Sequence, residues 1–383
     1  MIPEYLHPVS KRSVREMLEQ VLAGSSSDAP VMNKVIPFPQ PYPILYIDTP
    51  SIKVPKTASY WVYPSSPSPS TPQKTYIMAT LNTTPDSFSD GSVNNTISAG
   101  TVYATRAVDS GADIIDVGGY STRPGAAFVS TQEEINRVTS MITAIRSHNQ
   151  DTLISVDTFR WEVAEAAALA GANCINDVYA FTGPTYPPTQ ESYEHLLKMR
   201  QVARSRALPV ILMHSRGEAS ANKDYSQYSY AADSKGRGAV VEAVRIELGD
   251  KVDRIVKGKG GLRRWLVIVD PGVGFSKTLE GNLEVLRDAS ALVRPRAPDA
   301  PQNPLAGYPL LIGASRKSFL GTILSKDDGA YKGRETKPAE RGWATAAAVA
   351  CAVQQKANVV RVHDVLELGD VVRVSEHLWA KEN

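Results

Sequence analysis

The chain has 383 residues, 42% of them hydrophobic, and a formal net charge of +2. That is enough for a substantial core in one large domain or two ordinary ones, and too balanced for nucleic acid or a membrane surface as the main partner. Two cysteines, Cys174 and Cys351, both in apolar segments, supply neither a disulfide framework nor a zinc spacing and point to a reducing compartment.

Residues 1–74 read as an irregular extension. Ser13–Leu22 carries Val14, Met17, Leu18 and Val21 at helical spacing, which predicts one short amphipathic helix. The N-terminus lacks the apolar stretch of a signal peptide, and no run in the chain approaches the roughly 18–20 apolar residues of a membrane span. Pro64–Pro72 (PSSPSPSTP) cannot pack a core and reads as a linker.

From residue 75 to 383 apolar runs alternate with helical stretches. Strand candidates are Tyr76–Leu81, Asp113–Val117, Leu153–Val156, Asn173–Ile175, Pro209–Met213, Leu266–Val269, Pro309–Ile312 and Val359–Val362. They are short, rich in Val and Ile, and show little polar alternation, as strands covered on both faces do. Helices are expected over Ile97–Ser110, Gln132–Ser147, Trp161–Ala170, Glu191–Arg206, Ala239–Val256, Leu279–Asp288, Pro338–Lys356 and Val365–Lys381. Ser130 and Thr131 are good N-caps, Glu133 and Glu134 suit the positive end of a helix, and Gly171 stands at a C-cap position. Eight β/α units in about 300 residues predict an α/β fold, a (β/α)8 TIM barrel, with no GxGxxG after the first strand to support a dinucleotide-binding sheet. Two loops, Ser215–Arg237 and Ser325–Lys337, exceed what a bare barrel needs and read as surface insertions.

In such a barrel the active site lies at the C-terminal strand ends. Those ends carry Asn82, Gly118-Gly119, Asp157, Asn176, His214, Asp270, Ser315–Lys317 and Arg361–His363. Singly, Asp157 fits a helix N-cap, His214 a core histidine and Asn176-Asp177 a plain turn; together, at one end of consecutive units, they read as a site. Asn82, Thr122, Arg123, Lys317, Arg361 and His363 form a cationic, donor-rich set suited to a di- or triphosphate-like anion. Asp157, Asn176 and Asp270 suit the donor edge of a flat amino-substituted heterocycle. No Ser-His-Asp or Cys-His pair stands out, so covalent catalysis is not indicated.

The motifs LNTTPDSFSDG (Leu81–Gly91), DVGGYSTRPGA (Asp116–Ala126), SVDT (Ser155–Thr158), INDV (Ile175–Val178), LMHSRG (Leu212–Gly217), DPGVGFSK (Asp270–Lys277), GASRKSFLG (Gly313–Gly321) and RVHDV (Arg361–Val365) resemble, in order, those of the dihydropteroate synthases. The resemblance implies attack of the p-aminobenzoate amine on the methylene of 6-hydroxymethyl-7,8-dihydropterin pyrophosphate, releasing pyrophosphate. It implies Mg²⁺ and pyrophosphate at Asn82, with Thr122, Arg361 and His363 on the same anion. Asp157, Asn176, Asp270, Phe275 and Lys317 would hold the pterin. Phe88, Thr122, Arg123, Pro124, Phe275, Lys277 and Ser318 would form the p-aminobenzoate site, with Asp90 stabilising charge at the methylene carbon. Catalysis would fall to Asn82, Asp90, Lys317, Arg361 and His363. Leaving-group stabilisation would dominate, His363 would help most as a cation, and closed loops would exclude water. Sulfonamides are the inhibitors the family implies, a homodimer its common assembly, and the cytoplasm or mitochondrion its compartment.

Tyr120 stands where many members of that family carry Glu, and Val273 where Phe is frequent; the expected consequence is altered loop packing with unchanged chemistry. EYLHPVSKRSVREMLEQVL resembles the C-terminal tail of hydroxymethyldihydropterin pyrophosphokinase, fused ahead of the synthase in fungal-type folate proteins; with only that tail, kinase activity is not expected. Two rival readings share the pterin edge. A corrinoid-dependent methyltransferase has no use for Arg361, His363 and the STRPG loop, and a binding-only scaffold none for Asn82, Lys317 and Arg361.

Overall fold

A computed structural model describes residues 44–46, 60–62, 74–83, 97–122, 126–296 and 301–379. The helix expected over Ser13–Leu22 and the linker Pro64–Pro72 lie outside the described residues. Within the extension, Ile44–Tyr46 pairs antiparallel with Tyr60–Val62, so 1–74 is not irregular throughout. Both tripeptides, ILY and YWV, are made of apolar, β-favouring types.

Eight parallel strands follow: β1 Tyr76–Asn82, β2 Ile114–Gly118, β3 Leu153–Asp157, β4 Cys174–Asp177, β5 Val210–Met213, β6 Val267–Asp270, β7 Leu311–Ile312 and β8 Val359–Val362. The order β6-β5-β4-β3-β2-β1-β8-β7 closes through a parallel bridge between Val269 and Leu310, giving the expected barrel. Helices α1 Ile97–Asp109, α2 Thr131–His148, α3 Trp161–Ala170, α4 Gln190–Ser205, α5 Ala239–Val256 and α6 Leu279–Val293 connect the strands in turn. α7 Ser318–Leu324 and α8 Gly342–Gln354 follow β7, and α9 Val365–Leu378 follows β8. None of the helices found among the described residues is long and apolar enough to cross a membrane.

Period-two alternation splits the core. Met78, Ile114, Cys174, Ile211, Ile268, Leu311 and Val359 point inward and fill the base of the barrel. Ile115, Val117, Ile154 and Val156 point outward against Val138, Ile142, Val163 and Ala167 of the helices. Each fully buried Ile or Leu contributes about 1.5–3 kcal/mol. Because both faces are covered, the strands read as unbroken apolar runs.

Caps set the helix starts. Ser130 Oγ accepts from Glu133 N at 3.2 Å, and Gly171 closes α3 at φ 114°. Thr131 is the first helical residue, and Glu134 leaves the helix-dipole role to Glu133. Its carboxylate is buried, accepting from Thr158 Oγ1 at 2.7 Å and Arg160 Nη1 at 2.8 Å. The C-terminal side differs from the sequence reading in three ways. α6 runs past Asp288 to Val293 across a non-helical residue. The stretch expected as one helix from Pro338 is a 3₁₀ turn, Pro338–Arg341, followed by α8. α7 was not expected; seven residues are too short for a clear periodic signal.

Candidate active site

The strand ends surround a cavity of about 320 Å³. Asn82, Thr122, Asp157, Asn176, Asp270, Phe275, Lys317, Ser318, Arg361 and His363 all line it, so the fold brings together residues from the first strand end to the last. Phe88, Asp90, Arg123 and Pro124 lie outside the described residues.

Alternation selects which side chains face the lumen. On β2, Ile114 lies in the base, Val117 points outward, and Asp116 between them points inward with no exposure. Asp116 Oδ2 accepts from Arg361 Nε at 2.6 Å and from Asn176 Nδ2 at 3.0 Å. Arg361 Nη2 donates to Asp157 Oδ2 at 2.8 Å. One guanidinium thus ties β8 to β2 and β3. The sequence split between an anion set and a heterocycle set does not hold as a spatial division, because Arg361 of the first is bonded to Asp157 of the second. Asp116 was missed as a site residue, although a carboxylate inside a doubly covered strand is itself a signal.

Burial pushes the Asp157 carboxyl up to about 7, with Arg361 pulling it down and Asp116 adding to the rise. Burial likewise takes Asp270 up to about 6, against the Gly272 backbone bond and the Lys317 charge. For Arg361 burial works against the charged form, but Asp116 and Asp157 outweigh it and its pKa is raised. Arg361 and Asp157 keep side-chain exposures of 20% and 19%, so their outer edges still face the cavity. Asp157 is not a helix cap; Arg160 occupies the N-cap position of α3.

Lys317 Nζ lies over the Phe275 ring, 4.2 Å from its centroid. Gly274 makes this approach possible: at φ 84° it is left-handed, and a Cβ there would stand 2.9 Å from Lys317 Cδ. His363 Nδ1 is 2.9 Å from Ser315 Oγ, and the His363 backbone N–H donates to the same oxygen at 3.3 Å. Tyr103 on α1 donates to the His363 carbonyl at 3.2 Å. Ser315 can therefore orient the ring in either protonation state. Arg316 is held at φ 60° by Asp364, with Nη2 2.5 Å from Oδ1.

Of the strand-end residues, Gly118, Gly119 and His214 do not line the cavity. His214 is buried behind it, 3.0 Å from Glu247 through Nε2, which agrees with the core-histidine alternative. Lys277, expected in the p-aminobenzoate floor, is also buried, and its ammonium faces His214 rather than the cavity. Tyr120 packs edge-on against Phe159 at 5.4 Å, with the Arg160 guanidinium 4.9 Å from its ring centroid, and it also lines the cavity. The insertion after β7 leads into Pro338 and Arg341, which line the cavity mouth.

A barrel whose strand ends gather carboxylates, an amide and cations around one cavity defines a pterin-binding enzyme, and the family description "Pterin binding enzyme" matches residues 78–363. Among curated proteins, dihydropteroate synthase of Synechocystis is 38% identical over 307 residues, covering 80% of this chain and 91% of that one. A folic acid synthesis protein of Pneumocystis carinii is 37% identical over 305 residues, 80% of this chain but 36% of its own length. Solved dihydropteroate synthases share this fold. That of Xanthomonas albilineans with 4-aminobenzoic acid has a TM-score of 0.63 at 30% identity, covering 81% of this chain and 94% of that one. That of Yersinia pestis with a sulfonamide has a TM-score of 0.63 at 31% identity, covering 80% and 95%. That of Burkholderia cenocepacia with 7,8-dihydropteroate has a TM-score of 0.60 at 31%, covering 80% and 92%. The chain belongs to the dihydropteroate synthases.

Proposed function

We propose that this enzyme joins 6-hydroxymethyl-7,8-dihydropterin diphosphate to p-aminobenzoate, with sulfonamides competing for the second substrate. The observation that carries the reading is the convergence of Asp157, Asn176, Asp270 and Lys317 with Arg361 and His363 on one cavity. The bound p-aminobenzoate, sulfonamide and dihydropteroate of its structural relatives support it.

Asp157 and Asp270 accept from the ring N–H and amino groups of the pterin, and Asn176 supplies both a donor and an acceptor. Phe275 and Lys317 close over the ring. Thr122, Arg361 and His363 hold the diphosphate, and Ser318 with Phe275 faces the arylamine. Phe88, Asp90, Arg123 and Pro124 would complete the arylamine site and the charge stabilisation. The arylamine lone pair forms the new C–N bond as the C–O bond breaks, the electron pair leaves with the diphosphate, and the nitrogen then loses its extra proton to the departing diphosphate or to solvent. Arg361 and His363 take up that developing charge.

Asn82 suits Mg²⁺, which usually keeps several waters and substrate phosphate oxygens beside one or two protein ligands. Asn82 lines the cavity, and a Cβ at Gly118 would lie 3.6 Å from its Oδ1, so glycine there keeps the neighbouring backbone small. When bound, Mg²⁺ would neutralise diphosphate charge. Fusion behind a pyrophosphokinase is part of the same reading, supported by the Pneumocystis relative. So is a homodimer, supported by Leu366, Val374 and Leu378 left exposed on α9. The cytoplasm is the expected compartment, or the mitochondrion, as named for an Arabidopsis relative. Product formation from the two substrates by the purified chain tests the reaction, and equilibrium sedimentation tests the dimer.

A further inference from the structure

Lys277 sits just beyond the loop that follows β6, yet it does not line the cavity that Asp270 and Phe275 face. Its ammonium has three hydrogens, and three acceptors surround it. These are the Gly272 carbonyl at 3.0 Å, the Phe275 carbonyl at 3.1 Å and His214 Nδ1 at 3.1 Å. Burial pulls the Lys277 pKa down to about 7, against the Asp270 and Glu247 charges; in its charged form the group can only donate, so Nδ1 accepts and Nε2 carries the imidazole proton. Nε2 then donates to Glu247 Oε2 at 3.0 Å. Glu247 also accepts from Arg216 Nε at 2.9 Å and Tyr228 OH at 2.9 Å. A neutral imidazole therefore links the buried Lys277 ammonium to the half-buried Glu247 carboxylate.

The loop so held is not self-supporting. Gly272, Gly274 and Ser276 have φ of 70°, 84° and 49°. Ser276 pays strain that glycine would avoid. Gly272 has no alternative, since a Cβ there would stand 2.0 Å from the His214 carbonyl oxygen. The insertion after β5 grips the loop from outside: Ser276 N donates to Ala219 O at 2.8 Å and Tyr225 OH to Ser276 O at 2.9 Å. Lys277 grips it from inside. The loop carries Asp270, whose Oδ1 accepts from Gly272 N at 2.7 Å, and the Phe275 ring beneath Lys317.

We propose that Lys277 is a positioning residue for the pterin subsite. Bonded to Gly272 and Phe275 and balanced by Glu247 through His214, it sets the Asp270 carboxylate and the Phe275 ring against the substrate. The insertion after β5 supplies Arg216, Tyr225 and Tyr228 to the same clamp, which gives that loop a purpose. Burial, together with the Lys277 charge, depresses His214 to about 3, in keeping with a neutral bridge. This inference rests on the pterin reading of Asp270 and Phe275.

The test uses four variants of the full chain and the dihydropterin diphosphate substrate. In His214→Asn the carboxamide stands where Nδ1 stood and can still meet Lys277. In His214→Gln it reaches the Nε2 position and leaves Lys277 short of an acceptor. Lys277→Met removes the donors outright. The expected result is a pterin KM within about threefold of wild type for His214→Asn and raised about tenfold or more for His214→Gln and Lys277→Met, with kcat at saturation within about threefold. A merely structural role would lower the active fraction, and so kcat, at unchanged KM. Equal KM in the two His214 variants would overturn the proposal, even if Lys277→Met fails to fold. Asp270→Asn separates the two levels. If it too leaves the pterin KM unchanged, the pterin reading fails; if it alone raises KM, only the positioning role fails.

Discussion

Arg361 Nη2 and Asp157 Oδ2 stand 2.8 Å apart at the mouth of the barrel, and the same guanidinium reaches Asp116 through Nε at 2.6 Å. The group assigned to the leaving diphosphate is thus aimed by two carboxylates. Lysine cannot reproduce that planar, two-armed geometry. Arg361→Lys is expected to lower kcat/KM by about 100-fold and to cost about 3 kcal/mol of stability, at the low end for breaking a buried pair because Arg361 is partly exposed. Steady-state kinetics and urea unfolding check both figures.

Ser315 acts on the reaction through His363, which it holds at 2.9 Å. His363→Ala should lower kcat by about 100-fold and Ser315→Ala by about tenfold, since the ring remains but loses its orientation. Single-turnover release of diphosphate measures both. A larger loss in Ser315→Ala would contradict this order.

Gly118 has space for a methyl group: its Cβ would make ordinary contacts, 3.5 Å from Asp157 Cβ and 3.6 Å from Asn82 Oδ1. Gly118→Ala should therefore change stability by no more than about 1 kcal/mol while placing a methyl group in contact with the Asn82 oxygen, in the way of hydrated Mg²⁺. If Asn82 holds Mg²⁺, the variant needs about tenfold more Mg²⁺ for half-maximal rate. An unchanged Mg²⁺ titration would remove Asn82 from the metal's ligands.

His214 makes one pH prediction. Its folded pKa, depressed to about 3 mainly by burial, lies below the ordinary 6.5. As pH falls below about 6.5 the unfolded chain takes up the proton first, so this residue's contribution to stability declines towards pH 3, by about 1.4 kcal/mol per unit. His214→Asn lacks the titration. The stability gap between wild type and His214→Asn should shrink between pH 7 and pH 5, as thermal unfolding at both would show.

The barrel was legible because its strands are covered on both faces, so apolar runs such as Leu153–Val156 marked strands without alternation to confuse them. The strand ends were legible because polar residues at the close of such runs have few structural uses. Within the run the same rule hid Asp116: a lone carboxylate between Ile114 and Val117 showed neither its inward direction nor its partner 245 positions away. Lys277 was misread for a related reason. Sequence places it next to Phe275, but the left-handed turns at Gly272, Gly274 and Ser276 turn its ammonium behind the site. The insertion after β5 looked like a surface loop because nothing local reveals that Arg216 and Tyr225 fold back on the β6 loop.

The most direct test of the proposed function is diphosphate release by the purified chain from dihydropterin diphosphate with Mg²⁺, with and without p-aminobenzoate. Release that requires p-aminobenzoate and is blocked by a sulfonamide is the predicted result. Binding of the pterin diphosphate without p-aminobenzoate-dependent release would contradict it.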